Sequence, residues 1–304
     1  MLGKPAARIL AASVLFLLGF LLGSRRAGAS VASVLSKLLL YLVIPAIIIY
    51  KTMYSSVNIV ASYAVLVTAI FFATVGTAYT LIPKILGEYP GQVIGAAVLA
   101  AGIHNAGFLP IPLMLILYGD AGPAALYATL SSSYAAIVVP IIISRFAQEK
   151  RGTIHIARSV LTYPPFIALL LGVSLRLAGG PDLLSASTMS DIYVLSADAT
   201  LLSFYLVGAS LRQSGIGLDK PVTVIALWRL VVEPTIALTT LALLGSGIKG
   251  LWRQGIVLES FMPSATMNIV VSMIYGLDYK TVAKSIGLVT PISITIATIL
   301  ALDH

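Results

Sequence analysis

The sequence contains no cysteine and few charged residues. Without cysteine the chain can form no disulfide, no thiolate nucleophile and no cysteine-ligated metal site. Only 10% of its residues are charged, whereas soluble domains carry roughly 25%. In contrast, 59% are hydrophobic and the mean hydropathy is +1.01. A chain this apolar cannot cover a surface that faces water, so the sequence predicts an all-α polytopic membrane protein.

The chain also lacks the short motifs of several enzyme classes. It has no HExxH pair, no GxSxG turn, no Asp-rich pyrophosphate motif and no Walker A loop. These absences argue against an intramembrane enzyme and against ATP-driven transport by this chain alone. We expect no enzymatic activity, no catalytic residue, no metal site and no cofactor, with H⁺ or Na⁺ left open as a coupling ion.

The few charges that are present lie between apolar runs. The formal net charge is +8, but the Lys and Arg residues flank hydrophobic segments. We therefore interpret the positive charge as a sign of membrane topology, and we expect no nucleic-acid partner. Loops on one side carry the excess of Lys and Arg, including Arg25 and Arg26 after the first apolar run. The sequence therefore predicts a multi-pass plasma-membrane protein with both termini outside and no cleaved signal peptide.

Ten apolar runs are long enough to cross a bilayer. Their approximate limits are 7–22, 31–50, 57–82, 91–119, 122–144, 161–178, 190–211, 221–245, 252–276 and 281–301. A basic polar stretch, 145–158, separates the first five from the last five. This order predicts two five-helix repeats, residues 1–150 and 151–304, which are inverted relative to one another because each has an odd number of spans.

The fourth and ninth runs are interrupted at corresponding positions. The fourth contains "IHNAGFLPIP" and the ninth "ESFMPSATMN". Backbone freed by a proline in hydrocarbon survives only inside protein or against a cavity, and paired breaks of this kind indicate a transporter's binding site. A single proline more often only kinks a helix. We therefore predict a substrate-binding site with six residues: His104, Asn105, Pro110, Pro112, Pro263 and Asn268.

Arg229, Glu233 and Glu259 are charged residues within the predicted spans, and a charge near the bilayer centre costs at least ~2.5 kcal/mol. Arg229 and Glu233 are four residues apart, on one helix face. We interpret them as an intramembrane ion pair, with a gate or a substrate contact as the alternative. Glu259 has three open roles: a proton carrier, a Na⁺ ligand beside Thr266 or Asn268, or a partner of Arg229. His104 titrates near neutral pH when unperturbed, but a lone His beside a break is more often structural.

Five of these segments resemble the auxin efflux carrier family. They lie in the same order as in that family and span nearly the whole chain. The segments are "KLLLYLVIPAIIIYKT" (37–52), "HNAGFLPIPLMLILYG" (104–119), "LSFYLVGASLR" (202–212), "LWRLVVEPTIAL" (227–238) and "FMPSATMNIVVSMIYGLD" (261–278).

The resemblance implies ten helices in two inverted repeats, with broken helices 4 and 9 crossing at mid-membrane. It implies a transport domain, helices 3–5 and 8–10, that moves in an elevator-type, alternating-access cycle against a scaffold domain of helices 1, 2, 6 and 7. It also implies a homodimer that exports a small organic anion such as a carboxylate. It further implies that Asn105, which matches the family's Asn by motif, meets the substrate carboxylate.

The chain departs from the plant auxin carriers at three places. Its central loop is short, Asn268 stands where those carriers have a second proline in helix 9, and the third span lacks their charged residues. Auxin is therefore not the expected substrate. Two alternatives remain: a Na⁺-coupled symporter like the related bile acid transporters, and a channel or receptor built on the same helices.

Overall fold

The structure, a computed structural model, describes residues 4–23, 26–147, 164–180, 185–213 and 217–302. Arg25 and residues 148–158 of the basic central stretch lie outside these ranges, so the loop charges used to predict topology are only partly described. Within the described ranges the chain is helical, apart from short turns and two longer interruptions.

The first half of the chain forms seven helices. They are α1 (Lys4–Leu22), α2 (Arg26–Leu38), α3 (Ile44–Tyr54), α4 (Val57–Ile85), α5 (Gly91–Gly102), α6 (Pro110–Tyr118) and α7 (Gly122–Phe146). A π-helical segment, Leu39–Val43, joins α2 and α3 into one continuous rod.

The second half continues in the same manner. Its described helices are α8 (Pro164–Leu177), α9 (Ala186–Ala199), α10 (Ser203–Gln213), α11 (Lys220–Leu227), α12 (Glu233–Leu244), α13 (Gly250–Ser260), α14 (Met267–Tyr275) and α15 (Tyr279–Leu302). A 3₁₀ turn, Thr200–Leu202, joins α9 to α10, and a π-helical segment, Trp228–Val232, joins α11 to α12.

Six of the described helical rods are long and apolar enough to cross a membrane. They are Ser30–Tyr54, Val57–Ile85, Gly122–Phe146, Ala186–Arg212, Lys220–Leu244 and Tyr279–Ala301. Three shorter apolar helices accompany them, Ala6–Leu22, Gly91–Gly102 and Pro164–Leu177. The predicted all-helical architecture is confirmed for the described residues, whereas the ten-span inverted repeat stays a prediction.

Both π-helical segments precede a proline at the second position of the next helix. Pro45 and Pro234 have no N–H to donate, and their rings crowd the preceding turn. The preceding turn is π-helical and therefore wider than an α-helical turn. In it the Ile44 N–H bonds to the Leu39 carbonyl. The Glu233 N–H bonds to the Trp228 carbonyl in the same way. These wide turns fix the positions of Arg229 and Glu233.

The helices pack in two groups. In the first, α1 lies along α10, and α3 lies along α8 and α9. In the second, α4, α5 and α7 pack against one another and against α11, α12, α13 and α15. Helix α6 contacts helices of both groups, and α7 of the second group also packs against α3 and α8 of the first. The two interrupted helices therefore lie within or beside the second group.

Candidate functional site

The two helix interruptions meet in the interior. Helix α5 ends at Gly102 and its rod resumes at Pro110, whereas α13 ends at Ser260 and its rod resumes at Met267. The Asn105 N–H donates to the Pro263 carbonyl at 2.7 Å, and the Ala265 N–H donates to the Ile103 carbonyl at 3.1 Å. The two segments thus pair as one antiparallel bridge and satisfy each other's backbone groups, which explains how both breaks persist away from water.

The prolines of the first break begin a helix. Pro110 and Pro112 lie in the first turn of α6, which starts after Leu109. Backbone N–H groups in a first helical turn have no acceptor within the helix, so a proline there costs no hydrogen bond. Pro263 lies in the non-helical segment of the second break, where it supplies the carbonyl that Asn105 uses.

Asn105 and Asn268 are both buried but are used differently. The Asn105 Oδ1 accepts a hydrogen bond from the Phe108 N–H at 3.1 Å. Its Nδ2 group has no hydrogen-bond partner among the described residues. The Asn268 Nδ2 donates to the Ile103 carbonyl at 2.8 Å and to the Ser264 Oγ at 3.0 Å. Asn268 therefore ties the two breaks together, whereas Asn105 keeps donor groups free at the start of α6.

Arg229 bonds to backbone carbonyls at the ends of α5 and α13, the helices that precede the two breaks. Its Nη1 donates to the Ala101 carbonyl at 2.8 Å, and its Nε donates to the Met262 carbonyl at 3.0 Å. Its Nη2 contacts the Glu233 carboxylate four residues along the chain. Because carbonyls at a helix C-terminus carry partial negative charge, a guanidinium between two such ends stabilises both.

A pair of carboxylates flanks His104. The Nδ1 lies 3.0 Å from the Glu233 Oε1, and the Nε2 lies 3.3 Å from the Glu259 Oε2. All three side chains are at most 3% exposed. The contact with Glu259 has ion-pair distance without hydrogen-bond geometry, and neither Glu259 oxygen has a hydrogen-bond partner in the part of the chain that the structure describes. Glu259 therefore faces His104.

Glu259 and Arg229 form no ion pair within 4.0 Å among the described residues. Pairing with Arg229 was one of the three roles that the sequence left open for Glu259, and the structure does not show it. Thr266 lies half-buried before α14, with no hydrogen bond to Glu259 in the described ranges. The remaining predicted site residues lie together around the crossing.

A narrow cleft lies beside the first break. It has about 160 Å³ of empty space and is too constricted to hold a water molecule. Its lining residues are Leu39, Ile44, Gly107, Phe108, Ile111, Thr200 and Ser203. The Ser203 Oγ donates to the Phe108 carbonyl at 2.5 Å. The cleft therefore joins the first break to the irregular turns of the α2–α3 and α9–α10 rods.

Sequence reasoning missed Tyr127, Tyr63 and Ser203 near the site. The Tyr127 ring lies 5.4 Å from the His104 ring, and the Tyr63 hydroxyl donates to the Pro123 carbonyl at 2.9 Å. None of the three has a helix break or a charged residue directly beside it in the sequence. The sequence held no signal that would separate these residues from ordinary helix positions.

The chain is similar to two archaeal proteins that are described as uncharacterized transporters. It is 27% identical over 274 residues to one from Methanocaldococcus jannaschii, and the match covers 87% of each chain. It is 26% identical over 292 residues to one from Methanothermobacter thermautotrophicus, and the match covers 94% of each. No protein-family model matches the chain. Together with the apolar helices, these similarities support a multi-pass membrane transporter.

Proposed function

We propose that the chain is a secondary transporter for small organic anions, carboxylates in particular, and that the solute binds at the crossing of the two interrupted helices. The observation that carries this proposal is the amide of Asn105. It is buried in the crossing with its Nδ2 free of any partner among the described residues, directly before the first turn of α6. The similarity to archaeal transporters supports the transport class.

The surroundings of Asn105 favour a negatively charged ligand. Helix α6 begins in the interior at the break, so the positive end of its dipole lies there. Pro110 and Pro112 have no N–H, so the dipole and not a set of backbone donors is what this first turn offers an anion. An amide Nδ2 supplies two donors. A carboxylate accepts several hydrogen bonds at once, and it is therefore the ligand class that this arrangement fits best.

The packing supports an alternating-access cycle of elevator type. The cleft beside the first break is lined by residues of that break and of α6 on one side and by residues of the first helix group on the other. Movement of the second group against the first would open this cleft to one side of the membrane and then to the other. The resemblance to auxin efflux carriers implies the same division into a transport and a scaffold domain.

Solute flux into proteoliposomes tests the proposal. The purified chain is reconstituted, and uptake is measured for a panel of radiolabelled monocarboxylates and dicarboxylates, with neutral solutes as controls. We expect saturable uptake of at least one carboxylate, and we expect any other transported carboxylate to compete with it. If no panel member shows protein-dependent flux, a transport function is contradicted. If many ions cross and their flux does not saturate, the chain is a channel.

The site is tested with two asparagine variants. Asn105→Ala removes the free amide, and we expect it to abolish saturable uptake because the solute loses its main side-chain donor. Asn58→Ala is the matched control, since Asn58 is exposed in the first turn of α4. Folding is verified by size-exclusion chromatography and thermal unfolding. Normal uptake by folded Asn105→Ala would remove Asn105 from the site.

A further inference from the structure

We propose that His104 and Glu259 form a proton-binding site that couples carboxylate transport to the movement of one proton. This inference rests on the proposed transport function and names its coupling ion. The two side chains project from different interrupted helices and face one another where the breaks cross. Their position next to Asn105 places the proton beside the solute.

The atoms of this pair that face one another lack hydrogen-bond partners. The His104 Nε2 and both oxygens of Glu259 are buried without a hydrogen bond among the described residues. A buried ionisable group left in this state is costly, and a catalytic or ion-binding role is one of the recognised reasons for its presence in a native protein. A proton shared between the Nε2 and the Glu259 Oε2, 3.3 Å apart, would satisfy both atoms as the groups approach.

The groups that face the pair are a small set from four elements. Glu233 and Arg229 come from the start of α12 and the π-helical turn before it, Tyr127 comes from α7, and Tyr63 comes from α4. Phenols are uncharged at neutral pH, and Arg229 balances Glu233. The net charge of the cluster is therefore decided by the proton shared between His104 and Glu259.

Counting charges shows why proton and solute would bind together. With the shared proton, the formal charges of Arg229, Glu233, His104 and Glu259 sum to zero. Without it the cluster carries one negative charge, which repels a carboxylate at the neighbouring Asn105 in a medium of low dielectric constant. Each ligand thus raises the affinity for the other, as linkage requires. The proton leaves the cluster when the carboxylate leaves.

The test uses the carboxylate that gives saturable uptake in the panel above. Proteoliposomes are given an inward proton gradient of one pH unit, or an inward Na⁺ gradient at equal pH, and protein-free liposomes correct for passive entry of the undissociated acid. A pH-sensitive dye trapped inside reports proton entry. We expect the proton gradient alone to drive accumulation, on the order of tenfold for one proton per monocarboxylate, with acidification of the lumen.

Two variants separate coupling from transport. Glu259→Gln cannot release a proton, so we expect it to lose gradient-driven accumulation and solute-dependent acidification. It should keep exchange of internal for external solute at equal pH, which needs no net proton movement. Glu88→Gln is the matched control, because Glu88 is exposed and pairs with Lys220 at the surface. The control should behave like the wild type in both assays.

Each remaining outcome contradicts a specific claim. Saturable exchange that ignores the proton gradient in the wild type would overturn the proton site while the transport function stands. Accumulation driven by Na⁺ at equal pH would overturn it in favour of a sodium site. If Glu259→Gln does not fold, the wild-type dye measurement alone decides the question. Absence of any solute flux would overturn the transport function as well.

Discussion

Arg229 is completely buried and bonds to both interrupted helices, so the geometry of the crossing depends on it. A guanidinium suits this position because its donors point in several directions within one plane, whereas an ammonium is a single compact charge. Sequence reasoning identified the pair with Glu233 from its spacing alone. It did not identify the two carbonyl contacts, because these depend on how α13 and α5 approach the π-helical turn.

The Arg229→Lys variant tests this role at the level of one residue. The variant keeps the positive charge but loses the guanidinium hydrogen bonds to the Ala101 and Met262 carbonyls. These two buried carbonyls therefore lose their charged donors. We expect the free energy of unfolding to fall by about 2 kcal/mol or more, measured by thermal or chemical unfolding in detergent. Arg253→Lys, at an exposed position on α13, is the matched control. Equal stability of the two variants would contradict a structural role for Arg229.

The residues of the candidate site were predicted from the sequence, but their contacts were not. His104, Asn105, Pro263 and Asn268 were found because polar groups and prolines stood out in apolar runs. The pairing of Glu259 with His104 was not found, since it joins residues more than 150 positions apart through a bridge that only the folded chain forms. A charge within a span therefore indicates a site, while its partner depends on tertiary packing.

At the scale of helices, the contact between α1 and α10 depends on glycine. A Cβ atom on Gly19 would lie 2.0 Å from the Tyr205 carbonyl oxygen, and one on Gly208 would lie 2.1 Å from the Phe16 carbonyl oxygen. Gly19 and Gly23 form a GxxxG pattern on α1. In a membrane such small residues let two helix backbones approach closely, and the resulting packing stabilises their association.

Substituting Gly19 tests this close contact. Gly19→Ala forces the two backbones apart, and we expect it to lower the free energy of unfolding by about 1–3 kcal/mol, as overpacking generally does. Gly76→Ala is the matched control, because a Cβ at that helical position would meet nothing within 4 Å. Thermal unfolding in detergent compares the two. An unchanged midpoint for Gly19→Ala would show that the helices separate at little cost.

The prolines show what sequence predicts about elements. Pro110 and Pro112 correctly marked an interruption, and the structure adds that they form the first turn of the resumed helix. Pro45 and Pro234 produce wide π-helical turns within continuous rods. The sequence does not separate these outcomes, because the preceding turn either widens or breaks according to what packs around it.

At the scale of the molecule, a polar contact joins the two helix groups. The Lys51 ammonium of α3 and the Tyr193 hydroxyl of α9 both contact the Asp120 carboxylate in the turn before α7. The Asp120 Oδ1 also accepts a hydrogen bond from the Gly122 N–H at 2.8 Å. If the second group moves against the first during transport, this contact must break and reform in each cycle.

The membrane class and the two breaks were predictable because they follow from composition and local sequence. The division into a scaffold and a transport domain follows only from the resemblance to a transporter family and stays a prediction, since which helices pack together depends on contacts between distant segments. The narrow cleft beside the first break was not predictable from either source. It exists only where the first break meets irregular turns of two other rods.

The accessibility of one cysteine in this cleft tests the central claim that the crossing is a solute site with alternating access. The chain has no native cysteine, and a Cβ on Gly107 would meet nothing within 4 Å, so Gly107→Cys places a unique thiol there without a clash. Membrane-impermeant maleimide is applied to right-side-out and to inverted vesicles. We predict labelling from both sides, slowed by a transported carboxylate. Labelling from one side only, unaffected by any carboxylate, would contradict the account.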